Sequence, residues 1–210
     1  MKYYIPYIIA ICLVFFSSVH AKEVQTERDS ILIKAKILES RKLTSKLEAS
    51  GLIELGRLYF YLAVEDKDYL TKAFALFDEI KSGENNTYHG ESLMYLQALH
   101  AIRAKNALWP ADKWSIANKA LAQMDKIILQ YPDNIEIRFI RASTCFYLPF
   151  FFNRKEQVKN DFIILSKLIP KSHLRYPKHL IRNICGFMLD SGYLSNEHFT
   201  EIKSFYSTLT

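Results

Sequence analysis

Ala120-Leu-Ala-Gln-Met124-Asp-Lys-Ile127-Ile-Leu-Gln-Tyr-Pro132 is the stretch that decides the architecture. Ala120, Met124 and Ile127 stand four and three residues apart, so a small, a large and an aliphatic side chain share one face of a helix. Pro132 stops that helix, because it has no amide hydrogen and its ring clashes with the preceding turn. The same small, large, apolar, breaker order recurs at Ala73, Phe77, Ile80, Asn85 and at Val158, Phe162, Leu165, Pro170, with identical offsets of four, seven and twelve residues. A recurring helix of this kind has a physical reading: the small residue lets two helices of a hairpin approach, the large one fills the groove towards the next hairpin, and the breaker starts a new unit.

Working outward, apolar residues at three- and four-residue spacing continue from Glu23 to the end of the chain, and no segment reads as a strand. A first helix is expected through about Ser45, opened by Thr26-Glu-Arg-Asp as a capping arrangement; the alternation Ile31, Ile33, Ala35, Ile37 argues against it. The remaining helices are expected in pairs: 48–64 with 69–80, 90–107 with 109–130, 135–148 with 154–168, and 179–189 with 195–209. Ser82 to Thr87 is a loop, Pro110 fits a first helical turn, and the helix of the third pair ends before Pro170.

Leu55-Gly56-Arg57-Leu58-Tyr59, together with the three aligned second helices, resembles the tetratricopeptide repeat over about residues 52–170. Gly56 to Ala73 is longer than the family's interval, the units are spaced by 47 and 38 residues, and Asn85 replaces a proline. The resemblance implies an all-α fold of stacked antiparallel helical hairpins, about three to four of them in a right-handed solenoid, with an extra N-terminal flanking helix. It also implies protein binding, by analogy with what such folds do.

Lys2 precedes an apolar run from Tyr3 to Phe16, followed by Ser17, Ser18, Val19, His20 and Ala21. The run is shorter than the roughly twenty residues of a spanning helix, and Val19 and Ala21 suit a signal peptidase. Residues 1–21 therefore read as a signal peptide and 22–210 as a single domain, exported to the periplasm or secreted, with a bacterial envelope favoured. The rival reading keeps the N-terminal helix as an anchor. Cys145 and Cys185 would then sit in an oxidising compartment, paired or as small core residues.

Ten Lys or Arg between Arg138 and Arg182 face only Glu156 and Asp161, a local balance of +8 within a chain of net charge +6. Such a segment attracts an acidic protein, an anionic polymer or lipid headgroups. Arg138, Arg141, Arg154 and Lys155 are the expected partner-binding residues, since Arg138 and Arg141 share a helix face beside the hairpin that carries the other two. Cys145-Phe-Tyr-Leu-Pro-Phe-Phe-Phe152 is either core or a hydrophobic docking patch.

The histidines have no metal-binding spacing, and nucleophile-elbow, Cys-x-x-Cys, P-loop and dinucleotide glycine motifs are missing from the sequence. No catalytic residue, metal or cofactor is expected, and no nucleic-acid partner. The sequence points to a non-enzymatic interaction or scaffolding module with a protein partner, an acidic one by charge. Its alternative is a membrane-anchored envelope protein whose basic face meets headgroups.

Overall fold

The computed structural model describes residues 18–45, 47–83 and 86–209. Among them every regular element is a helix: α1 Ser18–Thr44, α2 Ala49–Ala63, α3 Lys67–Ser82, α4 His89–Lys105, α5 Pro110–Gln130, α6 Ile135–Phe146, α7 Lys155–Ser172, α8 Lys178–Asp190 and α9 Asn196–Ser207, with short 3-10 turns between some of them. The apolar run of the expected signal lies outside the described residues, and the expected cut after Ala21 falls on backbone helical from Ser18 onward. Among the described residues no helix is long and apolar enough to cross a membrane.

Two expectations about helix ends are corrected. Thr26 is no cap, because α1 is under way eight residues earlier. Pro170 does not end its helix; α7 runs on to Ser172 and is closed by the His173 amide donating to the Ile169 carbonyl. Proline there has no amide to donate to the Ser166 carbonyl, so α7 gives up one interior bond and still continues for two residues. Pro132, by contrast, lies just beyond α5, as expected. Asn85, the breaker assigned to the first unit, lies outside the described residues.

The described residues divide within α3 into two compact units, one ending at Leu76 and the other beginning at Phe77. In the first unit α1 packs on α2. Ala35 faces inward while Ile33 and Ile37 are exposed, so the strand-like alternation of α1 is a helix whose apolar residues are not all used for burial. Glu39 of α1 ties the unit together: its Oε1 accepts from Tyr59 Oη of α2 at 2.6 Å and from Lys72 Nζ of α3 at 2.8 Å. The Lys72 ammonium also lies 5.0 Å from the Tyr69 ring centre, a cation–π distance.

In the second unit α4 pairs with α5, α6 with α7 and α8 with α9. Successive pairs also touch, α4 on α6, α5 on α6 and α7 on α9. Local sequence sets these turns. Pro110 occupies the first turn of α5, and Asn134 caps α6 by accepting the Ile137 amide at 3.0 Å. Gly192, at φ 68°, turns α8 into α9, a conformation that costs little only for glycine. The close approach of α4 and α6 needs Gly90, where a Cβ would lie 2.9 Å from Ile137 Cδ1 and from the Tyr131 ring.

All nine side chains of the recurring pattern, from Ala73 to Leu165, are buried. Phe77 stacks on Tyr95 with ring centres 4.5 Å apart, and Phe162 approaches Phe187 at 6.2 Å, so in the second unit the large position of the pattern meets a neighbouring helix.

Candidate functional site

The densest polar cluster is built where α5, α6 and α7 converge. Asp161 lies on the face of α7 that carries Val158, Phe162 and Leu165 and is fully buried. A lone carboxylate there requires positive partners, and α6 supplies two. Arg138 Nη1 donates to Asp161 Oδ1 at 2.8 Å, while its Nη2 donates to the Pro132 carbonyl at 2.6 Å. Arg141 donates through Nε to Oδ2 at 3.0 Å and through Nη2 to Oδ1 at 2.6 Å, a two-pronged grip.

The cluster extends outward through Asp125 of α5. Its Oδ1 accepts from Arg141 Nη1 at 3.0 Å and from Gln157 Nε2 at 2.7 Å, and its Oδ2 accepts from Arg154 Nη1 at 2.8 Å. Burial opposes the Asp125 charge, but hydrogen bonds from Arg154 and Gln157 and the positive charges of Arg154 and Arg141 outweigh it, holding the carboxyl below its ordinary range. Arg141 is held above the ordinary guanidinium value: burial opposes its charge, and Asp161 and Asp125 prevail.

These positions revise the expected binding surface. Arg138 and Arg141 are 5% and 8% exposed, so they are interior charges that hold α6 to α7 rather than a docking face. The physical reason is Asp161, twenty-three residues from Arg138 and twenty from Arg141 in sequence, which draws both guanidiniums inward. Arg154 is half-buried on Asp125. Of the four, Lys155 alone is exposed, with its ammonium 5.6 Å from the Tyr193 ring centre. Of the remaining positive charge, Lys159 of α7 pairs with Glu156, and Lys167 and Lys171 of α7, Arg175 of the turn after it, and Lys178 and Arg182 of α8 are all exposed.

The aromatic run divides. Cys145 is buried, and Phe146 packs edge-on against Phe187 and Tyr193 with ring centres 5.2 Å away in both cases. Beyond Pro149 the chain makes a 3-10 turn, closed by Asn153 at φ 51°, which turns Phe150 and Phe151 outward. Phe152 stacks on Trp114 of α5 at 4.8 Å. Leu108 and Trp109, just before α5, are exposed as well.

A second polar cluster joins α4 to α6. Glu136 is fully buried and accepts from Tyr95 Oη at 2.8 Å, Glu91 accepts from Asn134 Nδ2 at 2.7 Å, and the Ile135 amide donates to Tyr176 Oη at 3.1 Å. These carboxylates serve helix–helix contacts.

Cys145 and Cys185 are both free thiols, and burial pushes each up to about 12. Neither carries thiolate character near neutral pH, which removes the usual basis of cysteine reactivity. Among the described residues no group of three or more His, Cys, Asp or Glu could hold a metal ion. Comparison of the chain with family models, with curated proteins and with solved structures found no match.

Proposed function

We propose that the chain is a non-enzymatic interaction module of the cell envelope, a divergent tetratricopeptide-like stack of hairpins whose outer cationic face holds an acidic protein. The observation that carries this reading is the split of the basic segment. Arg138 and Arg141 are consumed by Asp161 inside, while Lys167, Lys171, Arg175, Lys178 and Arg182 remain exposed on one stretch of α7, its following turn and α8. A run of exposed cations with Glu156 as its one exposed acid steers anionic partners and raises their rate of encounter.

The repeat reading has support of two kinds. The pattern that defines it in sequence coincides with buried positions, and like members of successive hairpins pack together, α4 on α6 and α7 on α9, as stacking of repeats requires. Export rests on the N-terminal run of Lys2 to Ala21.

The test is affinity capture from the native host with the wild-type chain and with Lys167→Glu/Lys171→Glu/Arg175→Glu, at low and high salt. Screening contracts from about 10 Å near 0.1 M to about 3 Å near 1 M, so a steered partner is lost at high salt and from the triple variant. The same proteins retained by the variant would rule out this face. A mature N-terminus at Lys22 is the expected accompaniment, and retention of residues 1–21 would favour the anchored alternative.

A further inference from the structure

Two consecutive hairpin turns of the second unit end side by side. The turn from α4 to α5 carries Leu108 and Trp109, which are 91% and 71% exposed, and the turn from α6 to α7 carries Phe150 at 94%. Trp114, one turn into α5, joins them: it stacks on Phe152 at 4.8 Å and lies 5.8 Å from Phe151. Leu108, Trp109 and Phe150 are large apolar side chains placed at the tips of turns, with little of their own protein over them. A folding argument does not account for them, since burying any one would be favourable.

We propose that this end of the second unit seats on a lipid bilayer containing anionic headgroups, with Leu108-Trp109 and Phe150-Phe151 entering the headgroup boundary. Three features favour a bilayer over a protein as the occupant. Side chains exposed to this degree project beyond their helices, and a fluid boundary receives projecting rings without a matching socket. Tryptophan and phenylalanine suit the interface, where an apolar ring can be buried while the indole N–H keeps a polar partner. The charges beside the tips are complementary to anionic lipid: Lys105 and Lys113 flank the first turn in sequence and Lys155 and Lys159 the second, against Asp112 and Glu156. Lys155 is exposed over Tyr193 of the next turn, at the same end.

The inference uses different residues from the acidic-partner reading and a protein-free assay, so the two can fail separately. Trp109 and Trp114 are the only tryptophans of the chain, and both lie at this end. Their emission therefore reports the seating directly, whatever the N-terminal apolar run does. The full chain is mixed with vesicles of phosphatidylcholine, with and without phosphatidylglycerol, and with the same vesicles brominated in the acyl chains. The expected result is a shift of emission to shorter wavelength and quenching by brominated lipid, both larger with phosphatidylglycerol. Both should be lost in Phe150→Ser/Phe151→Ser, with its helical circular dichroism unchanged. Co-sedimentation with unshifted, unquenched tryptophan would mean attachment through the N-terminal run alone and would overturn the proposal. A shift that instead follows protein concentration without vesicles would overturn it in favour of a second copy of the chain.

Discussion

Arg141 holds Asp161 with two parallel hydrogen bonds, Nε to Oδ2 at 3.0 Å and Nη2 to Oδ1 at 2.6 Å, inside a core in which the carboxylate has no exposed surface. Arg138 adds a third bond to the same group. Removing the carboxylate's charge strands two guanidiniums, whereas replacing the whole set by apolar residues would not. Asp161→Asn is therefore expected to lower stability by about 3–5 kcal/mol, and Lys167→Ala by less than about 0.5 kcal/mol, in urea titrations followed by circular dichroism. Comparable losses in the two variants would contradict the structural role assigned to Asp161.

A pH dependence follows from Glu39 and Asp125. Burial opposes the Glu39 charge, but hydrogen bonds from Lys72 and Tyr59 and the nearby ammonium groups prevail, so its carboxyl, like that of Asp125, sits below the ordinary value. A depressed carboxyl contributes stability that is fully present above its unfolded value, near 4, and is lost as pH falls through the folded value. Acidification below about pH 4 should then destabilise the wild type more steeply than Glu39→Gln/Asp125→Asn. Parallel stability curves for the two proteins over that range would exclude the linkage.

The helices were legible because helix-period spacing, Pro110 and Pro132 all act locally. The error at Pro170 arose from treating that proline as a stop, when it costs α7 one interior bond and the helix runs on for two residues. The buried arginines were not legible from charge counting, which sees how many cations a segment holds and not which way they face. One signal was available: Asp161 stands between Val158 and Phe162 on the apolar face of its own helix, where a carboxylate needs a cation from elsewhere. The outward turn of Phe150 had no such signal. It depends on the left-handed backbone at Asn153, which an asparagine allows but does not require.

Two glycines make opposite predictions. Gly90→Ala places a methyl group 2.9 Å from Ile137 Cδ1 and from the Tyr131 ring, so those side chains must shift, and a loss of about 1–3 kcal/mol is expected. Gly186→Ala, in α8, meets nothing within 4 Å and should gain about 0.5–1 kcal/mol from helix propensity. Thermal melts of both variants decide the matter, and trimming the obstacle with Ile137→Val should recover part of the Gly90→Ala loss. Stabilisation by both alanines would show that the helices are not in close contact at Gly90.

Cys145 and Cys185, whose buried thiols are pushed up to about 12, should resist alkylation near pH 8 while the chain is folded and react fully in denaturant. Peptide mapping of iodoacetamide-treated protein, purified without reductant, reads this. A Cys145–Cys185 disulfide-linked peptide would instead show that the two thiols pair in the folded protein.

The aromatic run makes the last prediction, because its two halves differ in what supports them. Phe146 lies within 5.2 Å of Tyr147, Phe187 and Tyr193, ring centre to ring centre, so it holds α6 against α8 and the turn that follows. Phe146→Ser removes most of that half-buried area and adds a hydroxyl, a cost of about 2–3 kcal/mol. Phe150 has almost no contact to lose, so Phe150→Ser should stay within about 0.5 kcal/mol of wild type. At roughly 2–4 °C per kcal/mol for a domain of this size, the first variant melts visibly lower and the second does not. Equal melting losses would mean that Phe150 is packed in solution, and would assign the whole run to the core; the difference expected here assigns only its first part to the core and leaves the tip free for another surface.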